Sequence, residues 1–358
     1  MPALAVADAL RARGAEVGFI GVRGTGASGR VREAGYREDQ IPMRGLVRRL
    51  SLRNLWAVAL AVAATPRAAG LLMRRKADVV VGGGGYVAAP VAIAAWLTRR
   101  RVLLTEADSH LGMANRIAAP FARRVTLAYP LAGRSGSKYL VTGRPVGRAV
   151  TQATRTAGRR AFGIAPEATV VLVVGGSQGA RTLNVAAVEA FGDDAPVDVI
   201  HVAGPGQLDE TRRLLGAHRA GPGYRLVGWL DNLPEAIAAA DLVVSRSGGS
   251  VFELAAIGRP SILVPYPHAT ADHQAGNARW LAEAGGAVVL PDADCTGERL
   301  RGLVGALLSD RHRLQGMADA ARAVGRPDAA DRVADEVLAL ARRPRRRWWR
   351  RLRPRRRG

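Results

Sequence analysis

Short apolar runs recur along this chain of 358 residues, and most of them end in glycine or proline before a stretch with apolar positions three or four apart. EVGFIG (16–21), DVVVG (78–82), RVLLT (101–105) and RVTLA (124–128) form a first series. TVVLVVGG (169–176), VDVIHVAG (197–204), YRLVGW (224–229), DLVVS (241–245), SILVP (261–265) and AVVL (287–290) form a second. Runs of this kind alternating with helical stretches predict buried parallel strands joined by crossover helices. The segment 146–165 has Gly and Pro punctuation and no clear strand, so the pattern predicts an α/β protein of two doubly wound domains with a cleft between them. The expected divisions are 1–145, a linker at 146–165, a second domain at 166–326, a C-terminal helix at 327–341 and a tail at 342–358.

The first series lacks an opening strand. The chain starts MPALAVADALRARGAEV, already an amphipathic helix with Pro2 in its first turn. A doubly wound domain begins on a strand that becomes central, so the first domain is expected to lack its first strand. Its sheet should then contain a break. The sequence is accordingly read as truncated at its N-terminus, with a downstream start codon as one origin.

Several strand ends carry candidate chemistry. In VLVVGGSQGARTLN (171–184), Gly175, Gly176 and Gly179 permit a tight turn and close approach of a ligand. The helix that follows offers free N–H groups to a phosphate, with Ser177 and Gln178 as added donors. No Gly-Lys-Ser/Thr follows, so this is not a Walker loop, and a purely structural turn is the alternative. DLVVSRSGGSVFELAAIGRP (241–260) repeats the arrangement and places Glu253 early in an otherwise apolar helix. That acid either complements the helix dipole or accepts hydrogen bonds from a ligand on the strand ends.

In VPYPHATADHQAGNARWLAEAG (264–285), Gln274 and Asn277 are three apart and share a helical face. An uncharged amide pair suits sugar hydroxyls better than a metal. His268 and His273 are candidates for acid or base work, or are structural. In the first domain, VVVGGGGYVAAPVAIAAWL (79–97) is another strand, glycine turn and helix. LLTEADSHLGMANRIAAPFARRV (103–125) puts Glu106, Asp108, His110 and Asn115 just past a strand end, facing the cleft.

Composition narrows the field. A hydrophobic fraction of 48% with 5% aromatics suits a soluble α/β protein, and a single cysteine, Cys295, excludes a disulfide framework or a multi-thiolate metal site. NLWAVALAVAATP (54–66) is too short to span a bilayer and is expected to end at Pro66. The net charge is +23, and nearly half of it lies in RRPRRRWWRRLRPRRRG (342–358), with eleven arginines and no acid. Such a block does not fold alone and needs a polyanionic partner, nucleic acid or anionic lipid. Trp348 and Trp349 favour the lipid interface. MRGLVRRLSLRNLWAVALAV (43–62) mixes Arg44, Arg48, Arg49 and Arg53 with Leu46, Leu50, Leu55 and Trp56. That fits an interfacial membrane patch, or a core helix with a basic face.

Taken in order, GGGGYVAAP, TEADSHLGMAN, GGSQGARTLN, SRSGGSVFELAAIGRP and HATADHQAGNA resemble the MurG family, from residue 2 to about 340. The resemblance implies a GT-B fold and an inverting, metal-independent transfer that needs no cofactor. N-acetylglucosamine would move from UDP-N-acetylglucosamine to lipid I (undecaprenyl-pyrophosphoryl-MurNAc-pentapeptide), giving lipid II for peptidoglycan. It implies Ser177 on the nucleotide's phosphates, with Gln178 and the glycines beside it, and Glu253 on both ribose hydroxyls. Gly249, Ser250 and Val251 would line the nucleotide, Leu230 the uracil, and Gln274, Asn277 and Asp108 the sugar. Tyr86, Arg48, Arg49 and Trp56 would lie on the acceptor and membrane side. The implied location is peripheral, on the cytoplasmic face of the cell membrane, with cell-wall and division proteins as partners and no specific nucleic acid.

The chain also departs from that family. Its glycine-rich first loop ending in Gly-His has no counterpart here, so no catalytic base is assigned. Thr105-Glu106-Ala107-Asp108 stands for His-Glu-Gln-Asn, and Asp108 can accept but not donate. GRPVGR offers Gly147 for the usual arginine, with Arg144 and Arg148 nearby. Transfer to another lipid such as diacylglycerol, or non-catalytic polyanion binding through the tail, are the competing expectations.

Overall fold

The computed structural model describes residues 2–22, 27–44, 52–108, 110–193, 195–269 and 272–342. Among them the strands form three sheets, all parallel. In the first half, β1 (Gly18–Val22) pairs with β2 (Arg37–Ile41). β3 (Val79–Gly82), β4 (Arg101–Glu106), β5 (Arg124–Leu127) and β6 (Tyr139–Val141) make a second sheet in that order. Among the described residues no ladder joins β1 to β3. Packing still joins the two sheets. Ile20 and Val22 share a core with Val80, Val102 and Leu104, and Val17 and Val79 border a second core on the other side.

β2 and β6 were not expected. REDQI is polar because β2 is an edge strand whose Asp39 reaches out to Arg75, 2.7 Å away. β6 has three residues at the opposite edge, too few for a pattern. The helix Leu52–Arg74 is also longer than expected and runs through Pro66. One missing N–H is tolerated there because Ala64, Ala68 and Leu72 are buried on the helix Ala88–Leu97. Trp56–Arg74 is long and apolar enough to cross a membrane by length and composition alone. Ala64, Ala68 and Leu72 pack into the first-domain core, while Trp56, Val58 and Val62 are exposed on the outer flank.

The second half holds β7 (Val170–Val174), β8 (Asp198–Val202), β9 (Tyr224–Val227), β10 (Leu242–Ser245), β11 (Ser261–Leu263) and β12 (Ala287–Val289). Their order is β9-β8-β7-β10-β11-β12. The chain builds outward from β7 on one side, then crosses to begin again at β10 on the other. The neighbours β7 and β10, in register at Val174 and Ser245, are therefore where the strand order reverses. Ligands of such sheets bind outside the strand ends at that point.

Segment 146–165 contains two short helices, Arg148–Gln152 and Arg155–Ala161, the second capped by Thr154. The helix Ala329–Arg342 returns to the first domain and packs Val333, Ala334 and Val337 against Val6, Ala9 and Leu10. Arg13 pairs there with Asp331 at 2.7 Å and Arg124 with Glu336 at 3.3 Å.

Candidate functional site

Two loops leave the reversal point side by side. The first, after β7, turns through Gly175–Gly179 into the helix Arg181–Phe191. Gly179 has φ +77°, and a Cβ there would meet the Ala203 carbonyl at 2.1 Å, so only glycine fits. Ser177 and Gln178 are exposed at the tip. No side chain caps the helix, whose first N–H groups and positive dipole end stay open toward the strand ends.

The second loop, after β10, passes Arg246 to Gly249 and enters the helix Ser250–Ile257. It is tied down from below. The buried Arg246 guanidinium bonds the Val264 and Pro265 carbonyls and pairs with Asp292 at 2.5 Å, while Thr182 at the start of the first helix also reaches Asp292. Both loops are thereby held to one another by an ion pair that periodicity does not reveal. Glu253 sits half-buried in the first turn without a hydrogen-bond or ion-pair partner among the described residues. Burial pushes its carboxyl up, and the nearby charge of Arg144 opposes this. Val251 is buried in the core, so it contributes backbone to this loop rather than a side chain.

Asn277 is occupied by the fold. Its Nδ2 donates to the Ser247 carbonyl at 2.9 Å and its Oδ1 accepts from Tyr129 Oη at 2.7 Å, both in the interior. Tyr129 comes from the first domain, just after β5, and its ring packs against Phe252 and Trp280 of the second. Asn277 is therefore a tie between the domains and the glycine turn, not a free amide for a sugar. Gln274 differs. Its Oε1 accepts from Tyr266 N at 3.0 Å and its carbonyl from Ser247 Oγ at 2.8 Å, which fixes the side chain at the rim of the loop.

On the first-domain side, Glu106 and Asn115 turn inward. The Glu106 carboxylate accepts from the N–H groups of Ala107, Asp108 and Gly112 and from Asn115 Nδ2 at 2.9 Å. Four donors on one buried acid make it the organiser of the loop, so these two do not face the cleft as expected. Asp108, on the same loop, lies close enough to Tyr129 to add its charge to the burial that raises that phenol.

Leu230 is partly buried against the second-domain core beside the exposed Trp229. His268 is exposed and stacks edge-on to Tyr266 at 5.5 Å, and His273 opens the helix His273–Glu283. Tyr86 and Trp56 are exposed on the first domain. Arg48 and Arg49 lie outside the described residues. Sequence reading missed a histidine: His201 on β8 is fully buried, bonded to Asn184 at 3.0 Å and Tyr224 at 2.8 Å. Burial lowers its pKa to about 4, so it is a neutral structural group. Among the described residues no three His, Cys, Asp or Glu side chains are grouped to hold a metal ion.

Two facing Rossmann-like domains, with glycine turns at the strand-order reversal of the second, define the GT-B class of glycosyltransferase. Residues 1–127 match the glycosyltransferase family 28 N-terminal domain and residues 170–333 its C-terminal domain. The UDP-N-acetylglucosamine--N-acetylmuramyl-(pentapeptide) pyrophosphoryl-undecaprenol N-acetylglucosamine transferase of Salinibacter ruber is 39% identical over 95% of this chain and 93% of its own. The transferase of the same name from Halorhodospira halophila is 42% identical over 93% and 92%. The crystal structure of Acinetobacter baumannii MurG superposes with a TM-score of 0.75 and 29% identity, over 94% of this chain and 95% of that one. CalG4, the calicheamicin glycosyltransferase, shares the fold at a TM-score of 0.66 and 20% identity. The chain belongs to the MurG family of N-acetylglucosaminyltransferases.

Proposed function

We propose that this protein transfers N-acetylglucosamine from UDP-N-acetylglucosamine to lipid I at a membrane surface, forming lipid II. The observation that carries the reading is the pair of glycine turns at the reversal of strand order, with Glu253, which has no hydrogen-bond or ion-pair partner among the described residues, beside one of them. A diphosphate fits the open start of the helix Arg181–Phe191 and Ser177, and the ribose hydroxyls fit Glu253, whose carboxylate accepts no bond from any described residue. The half-buried setting strengthens those bonds, because a charge-assisted hydrogen bond is worth more where water is scarce. Gly249 and Ser250 would line the nucleotide, Leu230 the uracil, and Gln274 and Asp108 the transferred sugar. As the glycosidic bond to UDP breaks, charge builds on the departing diphosphate. The helix ends then stabilise it through fixed dipoles, and inversion follows from attack by the acceptor hydroxyl on the opposite face.

Membrane docking is supported by exposed apolar side chains on packed first-domain helices: Trp56, Val58 and Val62 on Leu52–Arg74, Trp96 and Leu97 on Ala88–Leu97, and Met113 and Ile117 on Met113–Ala118. Arg99, Arg116 and Arg123 are exposed among them. Arg101, four residues past Leu97, donates to the carbonyls of Leu340 and Ala341 in the last turn of the helix Ala329–Arg342. Apolar side chains in the acyl region with arginines on anionic headgroups is the interfacial arrangement.

The test is UDP release from UDP-N-acetylglucosamine with lipid I, against diacylglycerol and other polyprenyl lipids. Release that needs lipid I supports the proposal, and release with another lipid but not lipid I overturns its acceptor. RNA affinity without any UDP-sugar turnover would favour a polyanion-binding protein instead.

A further inference from the structure

His201 is a polar side chain in an apolar layer. It stands on β8, fully buried between the sheet and the helix Arg181–Phe191, two residues past the core residue Val199. A leucine would fill that layer with no hydrogen bonds to satisfy, so the imidazole has to be explained by what it holds. Its Nε2 lies 3.0 Å from Asn184 Oδ1 and its Nδ1 2.8 Å from Tyr224 Oη. Asn184, on the helix, donates through Nδ2 to the Ala203 carbonyl at 3.0 Å and to Gln207 Oε1 at 2.9 Å. A backbone carbonyl only accepts, so the amide has one orientation and its Oδ1 is an acceptor. Nε2 therefore carries the imidazole proton, and Nδ1 accepts from the Tyr224 hydroxyl.

This line of bonds ends against the first glycine turn. Ala203 and Gly204 follow β8 directly and abut the turn backbone to backbone. A Cβ on Gly179 would meet the Ala203 carbonyl at 2.1 Å, and one on Gly204 would meet Gly179 N at 2.5 Å. The carbonyl that Asn184 holds is thus the one on which Gly179 rests, one residue before the helix start at Ala180. Without the Nε2 donor, Asn184 Oδ1 would be buried and unbonded, which favours turning the amide and releasing Ala203. We propose that His201 is a positioning residue for diphosphate binding: it locks the Asn184 amide onto the Ala203 carbonyl and so holds the turn Gly175–Gly179, and the helix N–H groups after it, in the shape a diphosphate needs. His201 touches no ligand and acts through Asn184. The inference rests on the proposed nucleotide-sugar reading and adds to it a residue behind the site. In that reading Glu253 and Leu230 hold the nucleoside from the loops after β10 and β9, which make none of these bonds. A fault at His201 should weaken the grip on the diphosphate and spare the nucleoside.

The experiment is calorimetric titration of wild-type protein, H201L, H201Q and Y224F with UDP and with uridine, alongside a thermal melt. H201L, which fills the layer without a donor, is expected to lose about tenfold in UDP affinity while uridine affinity stays within about twofold. H201Q offers an N–H in place of Nε2 and should recover most of the loss. A role in stability alone would lower the melt of H201L and leave the UDP-to-uridine ratio where it was. Nitrogen NMR of the ring should show the proton on Nε2 at neutral pH. Wild-type protein that binds UDP no more tightly than uridine would overturn the proposal together with the reading beneath it. Tight UDP binding by the wild type, with an unchanged UDP-to-uridine ratio in H201L or with the ring proton on Nδ1, would overturn the proposal alone. Should H201L not fold, Y224F decides. Its ratio is expected to fall about threefold as Nδ1 loses its donor, and an unchanged ratio there counts against the proposal equally.

Discussion

Replacing Tyr129 with phenylalanine is expected to loosen the join between the domains without emptying it. The hydroxyl donates at 2.7 Å to Asn277 Oδ1, and both residues are buried. The ring would remain, 5.0 Å from Phe252 and 5.4 Å from Trp280, so the apolar contact survives. What is lost is one interior hydrogen bond, with an amide oxygen left dry, a cost of about 1–3 kcal/mol. Tyr129→Ala removes the ring as well and should cost about 3–5 kcal/mol through the cavity it leaves. For domains of this size each kcal/mol lowers the melting temperature by roughly 2–4 °C, so Tyr129→Phe should melt a few degrees early and Tyr129→Ala well below it. A kinetic consequence follows. Asn277 Nδ2 holds the Ser247 carbonyl, so freeing Oδ1 lets the turn before Glu253 shift. KM for UDP-N-acetylglucosamine should rise while KM for the acceptor stays near the wild-type value. Scanning calorimetry of the three proteins with and without UDP, and initial-rate kinetics, measure both. A Tyr129→Phe protein with wild-type melting and wild-type donor KM would refute the coupling.

Other consequences are simpler to check. Glu253→Gln keeps the shape but loses the charge and half the acceptor capacity, and uridine affinity should drop about tenfold or more by calorimetry. Gly179→Ala forces a methyl into the Ala203 carbonyl at positive φ and should destabilise by roughly 2–4 kcal/mol, seen as an earlier melt. His201 titrates near 6.5 when unfolded but only at about 4 when folded. The unfolded chain therefore binds the extra proton in that window, and stability should fall as pH drops from about 6.5 to 4, by roughly 3 kcal/mol in all. His201→Gln should flatten that part of a denaturant-midpoint against pH curve, and an unchanged slope would exclude this histidine as its source. Vesicles containing anionic lipid should sediment the protein at moderate salt, less so once 343–358 are removed; equal binding to neutral vesicles would count against headgroup recognition.

Much of the second domain was legible along the chain. Its strands are buried on both faces, so they read as unbroken apolar runs, and its turns need glycine where φ is positive. Both signals live within a few neighbouring residues. The same holds for the open helix start after Gly179 and for the acid at 253. The polar edge strand Arg37–Ile41 stayed hidden because an edge is half solvated and its side chains answer to water and Arg75 rather than to a core. Pro66 looked like a stop because a local rule has no knowledge of the alanine stripe that holds the helix together on both sides of it. Folding also reassigned side chains of similar local appearance. Gln274 and Asn277 are three apart on one helix, yet one stays at the rim and the other is taken up by a tyrosine 148 positions away. Glu106 and Asp108 sit two apart, and four converging donors turned the first inward. Arg246 and Tyr129 carry no pattern of their own. Their roles come from surfaces brought together across domains, since a hydrogen bond depends on distance in space while periodicity records only distance along the chain.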